Sequence, residues 1–302
     1  AVAAAEAGVT CQEIPMADGG EGTLAALGGA NRSSVVTGPL GEPVKAEWRL
    51  DRGTAVIEMA QTAGLVLAGG AEENDPLGAS TVGVGELIAE ALDAGATTII
   101  IGVGGSATTD GGLGALDAVG SAERLKGAEI IVACDVRTTF VDAASVFGPQ
   151  KGATRAQVTL LEGRLRALAA NYRERFGVDV ESLPRSGAAG GLAGGLAAIG
   201  ATLVDGFDIV STRLGLEDAI ASADLVVTGE GFIDAESFEG KVVGGVASLA
   251  NAHGIPVLAI AGQVFDGAET RIDAISLADE YGLERALADP VACVVEAVAE
   301  RL

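Results

Sequence analysis

The segment Ile99-Ile-Ile-Gly-Val-Gly-Gly-Ser-Ala-Thr-Thr-Asp-Gly-Gly112 constrains the fold of this chain more than any other. An apolar run, read as a buried strand, ends in glycines, hydroxyls and one carboxylate. The glycines let the backbone bend tightly and approach a ligand with no Cβ in the way. Ser106, Thr108 and Thr109 offer hydroxyls, and Asp110 offers an acceptor or a metal ligand. Such a turn suits a phosphate or a small polyhydroxy acid. The pattern recurs in kind at Asp18-Gly-Gly-Glu-Gly-Thr23 and at Thr228-Gly-Glu-Gly-Phe-Ile-Asp234 with Gly240-Lys241. Three polar glycine loops, each following an apolar run, predict one composite active site.

A chain of 302 residues can bury a large core and is expected to form two domains. Hydrophobic residues make up 49%, which excludes a mostly disordered chain. Glycine is abundant at 45 residues while aromatics are only 3%. That favours tight helix-on-sheet packing over a β-sandwich or an aromatic nucleic-acid platform. A net charge of −23 argues against nucleic acid and anionic membranes as partners. An acidic protein that binds an anion needs local help, from a divalent cation held by Asp or Glu and from backbone N–H groups. Cys11, Cys134 and Cys293 are widely spaced with no C-x-x-C, which fits a reducing compartment. With no membrane span and no secretion signal in the sequence, a cytoplasmic protein is expected.

Residues 1–8 read as the tail of a helix and 9–16 as a short strand, followed by the 18–20 loop and a short helix over 23–27. From Ser34 the grammar changes. Val35-Val-Thr-Gly-Pro-Leu-Gly-Glu-Pro-Val-Lys-Ala-Glu-Trp48 alternates about a Gly/Pro turn, and 55–59 follows as another strand, which predicts an antiparallel meander. A helix over 81–94 and strands over 97–103 and 129–134 come next. Thr154-Arg-Ala-Gln157 is a capping box. It opens a helix whose apolar stripe is Val158, Leu161, Leu165, Leu168, Tyr172 and Phe176. Residues 187–199 read as a glycine/alanine helix built for close packing. Beyond Asp208 a βαβ rhythm dominates, with helices over 214–221 and 242–252 and strands over 225–228, 256–261 and 274–277. The loop 229–234 is expected at a strand's carboxyl end, where open α/β sheets bind ligands. The simplest architecture is α/β with two domains. One is a discontinuous Rossmann-like parallel-sheet domain from residues 1–33 and 209–302. The other is a mixed α/β domain inserted over 34–208, with the active site in the cleft between them.

Several local patterns compete. Gly102-x-Gly104-x-x-Ala107 matches the loose dinucleotide fingerprint, but no acid follows at the right distance, and Thr108-Thr109-Asp110 suits a hydroxyl-binding loop better. Gly240-Lys241 lacks the earlier glycine and the following Ser or Thr of a P-loop. Lys241 falls at an expected helix start, where the dipole disfavours a cation unless an anion is near, so it reads as a surface lysine or an anion's partner. Lys151, in Phe147-Gly-Pro-Gln-Lys-Gly152, reads as an exposed loop lysine or an anion clamp. Asp18, Asp110, Glu230 and Asp234 all sit in glycine loops, and capping explains any one of them. Phosphoryl transfer would use one carboxylate to hold Mg2+ and another to accept the proton of an attacking hydroxyl. Asp135 is a further candidate. His253 reads as a residue at a helix C-terminus, which argues against His-based catalysis.

Together these stretches resemble the type I glycerate kinase family. The resemblance rests on Pro15-Met-Ala-Asp-Gly-Gly-Glu-Gly-Thr23, Thr37-Gly-Pro-Leu-Gly41, Ile101-Gly-Val-Gly-Gly-Ser-Ala-Thr-Thr-Asp-Gly-Gly112, Phe147-Gly-Pro-Gln-Lys-Gly-Ala153, Gly187-Ala-Ala-Gly-Gly191 and Val227-Thr-Gly-Glu-Gly231 with Gly240-Lys241. They run in family order over nearly the whole chain. The resemblance implies ATP- and Mg2+-dependent phosphorylation of D-glycerate by two α/β domains, in a monomer or homodimer. It carries over Asp18, Ser106, Asp110, Glu230, Asp234 and Lys241 as active-site residues. The roles assigned from chemistry are catalytic for Asp18, Asp110, Asp234 and Lys241. ATP binding falls to Gly104, Gly105, Ser106, Thr108, Gly229, Glu230, Gly231 and Lys151, and metal binding to Asp110 or Asp234.

Three departures accompany the resemblance. Family members begin with a strand and an Asp-Ser-Phe-Lys-Gly-Ser-like loop that this sequence does not contain. The passage from Gly120 to Ser121 is shorter than the family's glycine-rich connection, and Glu236-Ser237 stands where Gln-Thr is usual. The first two lead us to expect a longer parent protein. The alternative reading is a catalytically inactive small-acid-binding or regulatory protein that keeps the fold, and a weaker one is a dinucleotide oxidoreductase.

Overall fold

A computed structural model describes residues 1–238, 241–265 and 272–302. The chain divides into two compact units, Ala17–Val210 on one side and Ala1–Met16 with Ser211–Leu302 on the other. The sequence reading put the crossings after residues 33 and 208. The chain instead joins the 17–210 unit at residue 17, because the segment from Asp18 is pinned to that unit's sheet. Val103 N donates to Gly19 O at 2.9 Å, and Leu24 N donates to Glu58 Oε1 at 2.8 Å.

The 17–210 unit is built on a six-stranded mixed sheet of order β1-β2-β3-β4-β5-β6. The strands are β1 (Arg32–Thr37), β2 (Pro43–Asp51), β3 (Thr54–Glu58), β4 (Thr98–Gly102), β5 (Glu129–Ala133) and β6 (Thr202–Val204). β1, β2 and β3 form the expected antiparallel meander, with Val36 opposite Val44 and Asp51 opposite Thr54. The β2–β3 turn is the two residues Arg52 and Gly53, both at positive φ, the geometry that matches the twist of the flanking strands. β3 to β6 run parallel, aligning Ile57, Ile101, Val132 and Leu203. Ile99, Ile100 and Ile101 are all buried, as a central parallel strand covered on both faces requires.

Helices cover this sheet through short apolar stripes. In Val82–Asp93 the residues Val84, Leu87, Ile88 and Ala91 recur on one face and are fully buried. The Arg155–Phe176 helix opens on the expected capping box, with Thr154 and Gln157 satisfying each other's backbone N–H groups. Its Leu161, Leu165 and Tyr172 join the core, and the Tyr172 hydroxyl donates to Gly111 O at 3.1 Å.

The other unit holds a parallel three-stranded sheet of β7 (Val226–Ile233), β8 (Val257–Val264) and β9 (Asp273–Ser276). β8 alternates strictly. Ala259 and Ala261 pack with Ile233 and Val243 on one face, while Leu258 and Ile260 pack with Cys293 and Ala297 on the other. Among the described residues no helix is long and apolar enough to cross a membrane.

Three expected elements differ. Residues 9–16 form no strand: they find no ladder partner among the described residues, and Pro15 has no N–H to offer one. The 187–199 segment is not one helix. A 3-10 turn at Ala188–Gly191, with Ala189 and Gly190 in left-handed conformation, precedes a helix at Leu192–Ala198. The 229–234 stretch is not a loop over most of its length. β7 runs through Ile233, pairing Gly229 with Ile260 and Glu230 with Ala261.

Candidate active site

The carboxyl ends of β4 and β5 bring together two of the glycine loops. After β4 the chain enters 103–112, and the Asp18–Glu21 segment lies against its start. A Cβ on Gly104 would stand 2.6 Å from Gly20 Cα, and one on Gly19 would stand 2.8 Å from Ala133 O. Gly206, after β6, is pressed onto the Asp18 carbonyl so closely that any side chain there would collide with it. Only glycine allows these three backbones to touch. Asp18 is half-buried, and its Oδ1 accepts from Gly20 N at 3.3 Å. Gly105 and Ser106 are held from the other side, Gly105 O accepting from Leu65 N at 2.8 Å and Ser106 bridging to Gly64.

Deeper in the loop the polar groups turn inward. Asp110 accepts four hydrogen bonds, from Thr81 N (2.9 Å), Thr81 Oγ1 (2.8 Å) and Gly114 N (3.3 Å) on Oδ2 and from Gly112 N (3.0 Å) on Oδ1. An ionised carboxylate has about four lone-pair sites, two on each oxygen, so Oδ2 is crowded by three donors while Oδ1, with one, keeps a site open. Thr108 and Thr109 are buried, and their hydroxyl oxygens have no hydrogen-bond partner.

Lys151 ends a 3-10 turn at Pro149–Lys151 and is only 2% exposed. Its head is therefore neither an exposed loop lysine nor a clamp open to solvent. Nζ donates to Thr108 O at 2.7 Å. Burial pushes the amine down from 10.5 to about 7, while the Asp110 carboxylate pulls it back up. Asn74 bridges the same seam, donating to Ala107 O at 3.1 Å and to Lys151 O at 2.8 Å.

The left-handed turn at Ala189 and Gly190 closes this core. Gly111 N donates to Gly190 O at 3.0 Å, and Gly190 packs its Cα face onto the Thr108 carbonyl. At φ +65 and with backbone in the way of any Cβ, Gly190→Ala is expected to destabilise the fold by about 3 kcal/mol. Urea unfolding checks this; an unchanged midpoint would show that the turn is not under that constraint.

Four further residues at these strand ends carry no signal strong enough for sequence reasoning to single out. Arg185, at φ +73, donates from Nη1 to Cys134 O at 2.5 Å and pairs through Nη2 with Asp205 Oδ2 at 3.0 Å. Glu58 ends an apolar strand and was legible only as that interruption. Asn74 is one polar residue in a turn-rich stretch, and nothing local marks Arg185 or Asp205.

In the other unit the glycines of β7 serve strand packing. Gly229 admits the Ile260 carbonyl, and a Cβ on Gly262 would stand 2.6 Å from Gly231 O. Glu230, held between Gly229 and Gly231, has a buried Oε1 with no hydrogen-bond partner. Asp234 ends the strand, its Oδ1 accepting from Ser237 N at 3.0 Å. Lys241 is the N-cap of the Val242–His253 helix, and its Nζ lies 6.0 Å from the Phe232 ring centroid, a cation–π contact that supports a cation at a helix start. Gly240 lies outside the described residues. His253 ends that helix, with Nε2 3.2 Å from Glu217 Oε1.

No group of three or more His, Cys, Asp or Glu that could hold a metal ion occurs among the described residues. Mg2+ in phosphoryl-transfer sites takes one or two carboxylates together with substrate phosphates. The bare Glu230 oxygen is a hard donor of the kind such an ion takes.

These features define an α/β protein in which two of the glycine loops meet at the carboxyl ends of parallel strands, where such sheets take their ligands. The sequence pattern described as "Glycerate kinase family" matches residues 1–123 and 119–300. "Glycerate 2-kinase" of Escherichia coli (strain K12) is 44% identical over 291 residues, covering 84% of this chain and 76% of that protein. "Glycerate kinase" of Bacillus subtilis (strain 168) is 39% identical over 295 residues, covering 85% and 77%. The crystal structure of a "putative glycerate kinase 2 from Salmonella typhimurium LT2" superposes with a TM-score of 0.82 at 37% identity, covering 98% of this chain and 90% of that one. The chain belongs to the glycerate kinase family.

Proposed function

We propose that this chain transfers the γ-phosphoryl group of ATP to the C2 hydroxyl of D-glycerate. The reaction class, an ATP-dependent phosphotransferase acting on glycerate, follows from family membership. The choice of C2 rests on the name "Glycerate 2-kinase" borne by the Escherichia coli relative. The observation that carries the assignment of residues is the crossing of the Asp18–Glu21 segment over the ends of β4 and β5, which seats Asp18 in the loop packed against Gly104.

Asp18 orients the substrate hydroxyl and accepts its proton as the oxygen attacks phosphorus. The backbone N–H groups around Gly104, Gly105 and Ser106 offer donors to anionic oxygens with no Cβ in the way. Asp110, held by four donors, shapes the loop and sets a negative charge near Lys151. Lys151 and the buried Thr108 act through the backbone they fasten. Glu230 and Lys241 serve the nucleotide: Glu230 Oε1 would hold Mg2+, and the Lys241 ammonium faces phosphate oxygens. When bound, Mg2+ neutralises charge on the β- and γ-phosphates.

The test is ADP release from MgATP with D-glycerate, with the product examined by proton-coupled phosphorus NMR. Phosphate on C2 couples to one proton and gives a doublet; phosphate on C3 couples to two and gives a triplet. A doublet is expected. A triplet overturns the choice of C2, and the absence of ADP release leaves an inactive acid-binding protein in its place.

A further inference from the structure

The glycines and carboxylates of β7 leave one feature of that strand unexplained. Strand alternation places Thr228, Glu230 and Phe232 on one face, while Ile233 on the other is buried with Val243 and Ala247. Phe232 is 52% exposed, and Phe265, just past the end of β8, is 49% exposed. Their rings meet edge to face, centroids 6.1 Å apart at 78°. In a chain that is only 3% aromatic, every other ring is buried or half-buried. An outward strand position is ordinarily polar, so two contacting rings there call for a partner.

The surroundings of the pair narrow the choice. The Lys241 ammonium stands 6.0 Å from the Phe232 centroid. Two residues back along the same face, about 6–7 Å by strand rise, lies Glu230 with its buried, unpartnered Oε1. An aromatic face with an ammonium beside it and a bare carboxylate oxygen farther back on the strand match the parts of a metal-bound nucleotide: a planar base, phosphates and a divalent cation. A purely apolar partner would leave the ammonium and the carboxylate oxygen unanswered.

We infer that Phe232 and Phe265 form the stacking platform for the purine base of ATP, with Lys241 facing its phosphates. This rests on the kinase reading above. Stacking of a base on an aromatic side chain changes affinity by about five- to a hundredfold on truncation, and rings already in mutual contact are pre-organised for it.

Calorimetric titration of the full chain with MgADP and with magnesium tripolyphosphate tests the assignment, beside KM values for ATP and glycerate. The variants are the double replacements Phe232→Leu with Phe265→Leu and Phe232→Tyr with Phe265→Tyr. Leucine keeps apolar bulk but has no π face. The leucine pair is expected to bind MgADP about tenfold more weakly, with a matching rise in KM for ATP and none in KM for glycerate. Tripolyphosphate, which has no base, should bind wild type and variant alike, and the tyrosine pair should stay within about twofold of wild type for MgADP. Equal MgADP affinity in wild type and leucine pair overturns the platform, as does no MgADP binding by wild type. An equal loss for tripolyphosphate also overturns it, by marking a general disturbance of the site. ADP binding is read without turnover. A chain that binds MgADP through these rings yet leaves glycerate unphosphorylated would therefore end the kinase reading and keep the platform.

Discussion

Asp18→Asn is expected to lower kcat by about 10²- to 10⁴-fold, the range that a positioned general base contributes. The replacement is chosen to separate chemistry from structure. Asparagine keeps a carbonyl oxygen where Asp18 Oδ1 accepts from Gly20 N, so the turn over the ends of β4 and β5 retains its internal bond. The backbone contacts that hold this segment, Val103 N to Gly19 O and the close approach of Gly206, involve no side-chain atom of residue 18. The melting temperature should accordingly stay within a degree or two, while the loss falls on kcat more than on KM for glycerate. A variant retaining a third or more of wild-type kcat would remove Asp18 from the chemistry. A variant that melted far lower would show that its role is to build the loop.

Lys151→Met is expected to remove a pH dependence of stability that wild type carries between pH 7 and 10. Burial lowers the amine from 10.5 to about 7 in the folded protein, while in the unfolded chain it titrates near its ordinary value. Across that window the unfolded chain binds the proton that the folded chain gives up, so stability rises with pH. Below pH 7 the cost of burying the charge is present in full; above about pH 10 it is gone. The displacement corresponds to on the order of 5 kcal/mol. Methionine fills a similar volume without charge, and loses the bond to Thr108 O at a cost of about 1–3 kcal/mol that does not vary with pH. Urea unfolding at pH 6, 7, 8, 9 and 10 reads the difference. The variant should compare best with wild type at pH 6 and progressively worse toward pH 10. A constant difference would mean that burial does not lower the amine and that it stays protonated in the fold across this window.

The same lysine shows where local reading ends. Phe147-Gly-Pro-Gln-Lys-Gly152 looks like a surface turn, since glycine, proline and lysine are all loop residues. Nothing local indicates that the Thr108 carbonyl, distant along the chain, takes the ammonium, or that Asn74 holds the Lys151 carbonyl. Asp110 is the converse case. Its place in a glycine loop suggested chemistry, and in the fold its Oδ2 is taken by Thr81 and by Gly114 N while Oδ1 accepts from Gly112 N alone. A carboxylate that binds a ligand and one that caps a turn are alike in sequence, because only the number of donors already around it tells them apart.

Patterns that depend on neighbours in the chain were legible. The meander of β1 to β3, the capping box at Thr154, the buried triplet Ile99 to Ile101 and the glycine loops around Asp18 and Asp110 all follow from periodicity, capping chemistry and conformational freedom. Those motifs also carried the family and its reaction. What depends on neighbours in space was decided only by the tertiary structure. Residues 9–16 have strand-forming character but no ladder partner among the described residues. The glycines of 229–231 are apt for a loop, yet they are drawn into β7 because the Ile260 carbonyl and Gly262 need room beside them. Gly190 breaks an expected helix because the Thr108 carbonyl packs against it. Strand pairing, burial of a charge and close approach of two backbones are contact energies. The sequence by itself determines which segments can make such contacts, and tertiary packing selects which of them do.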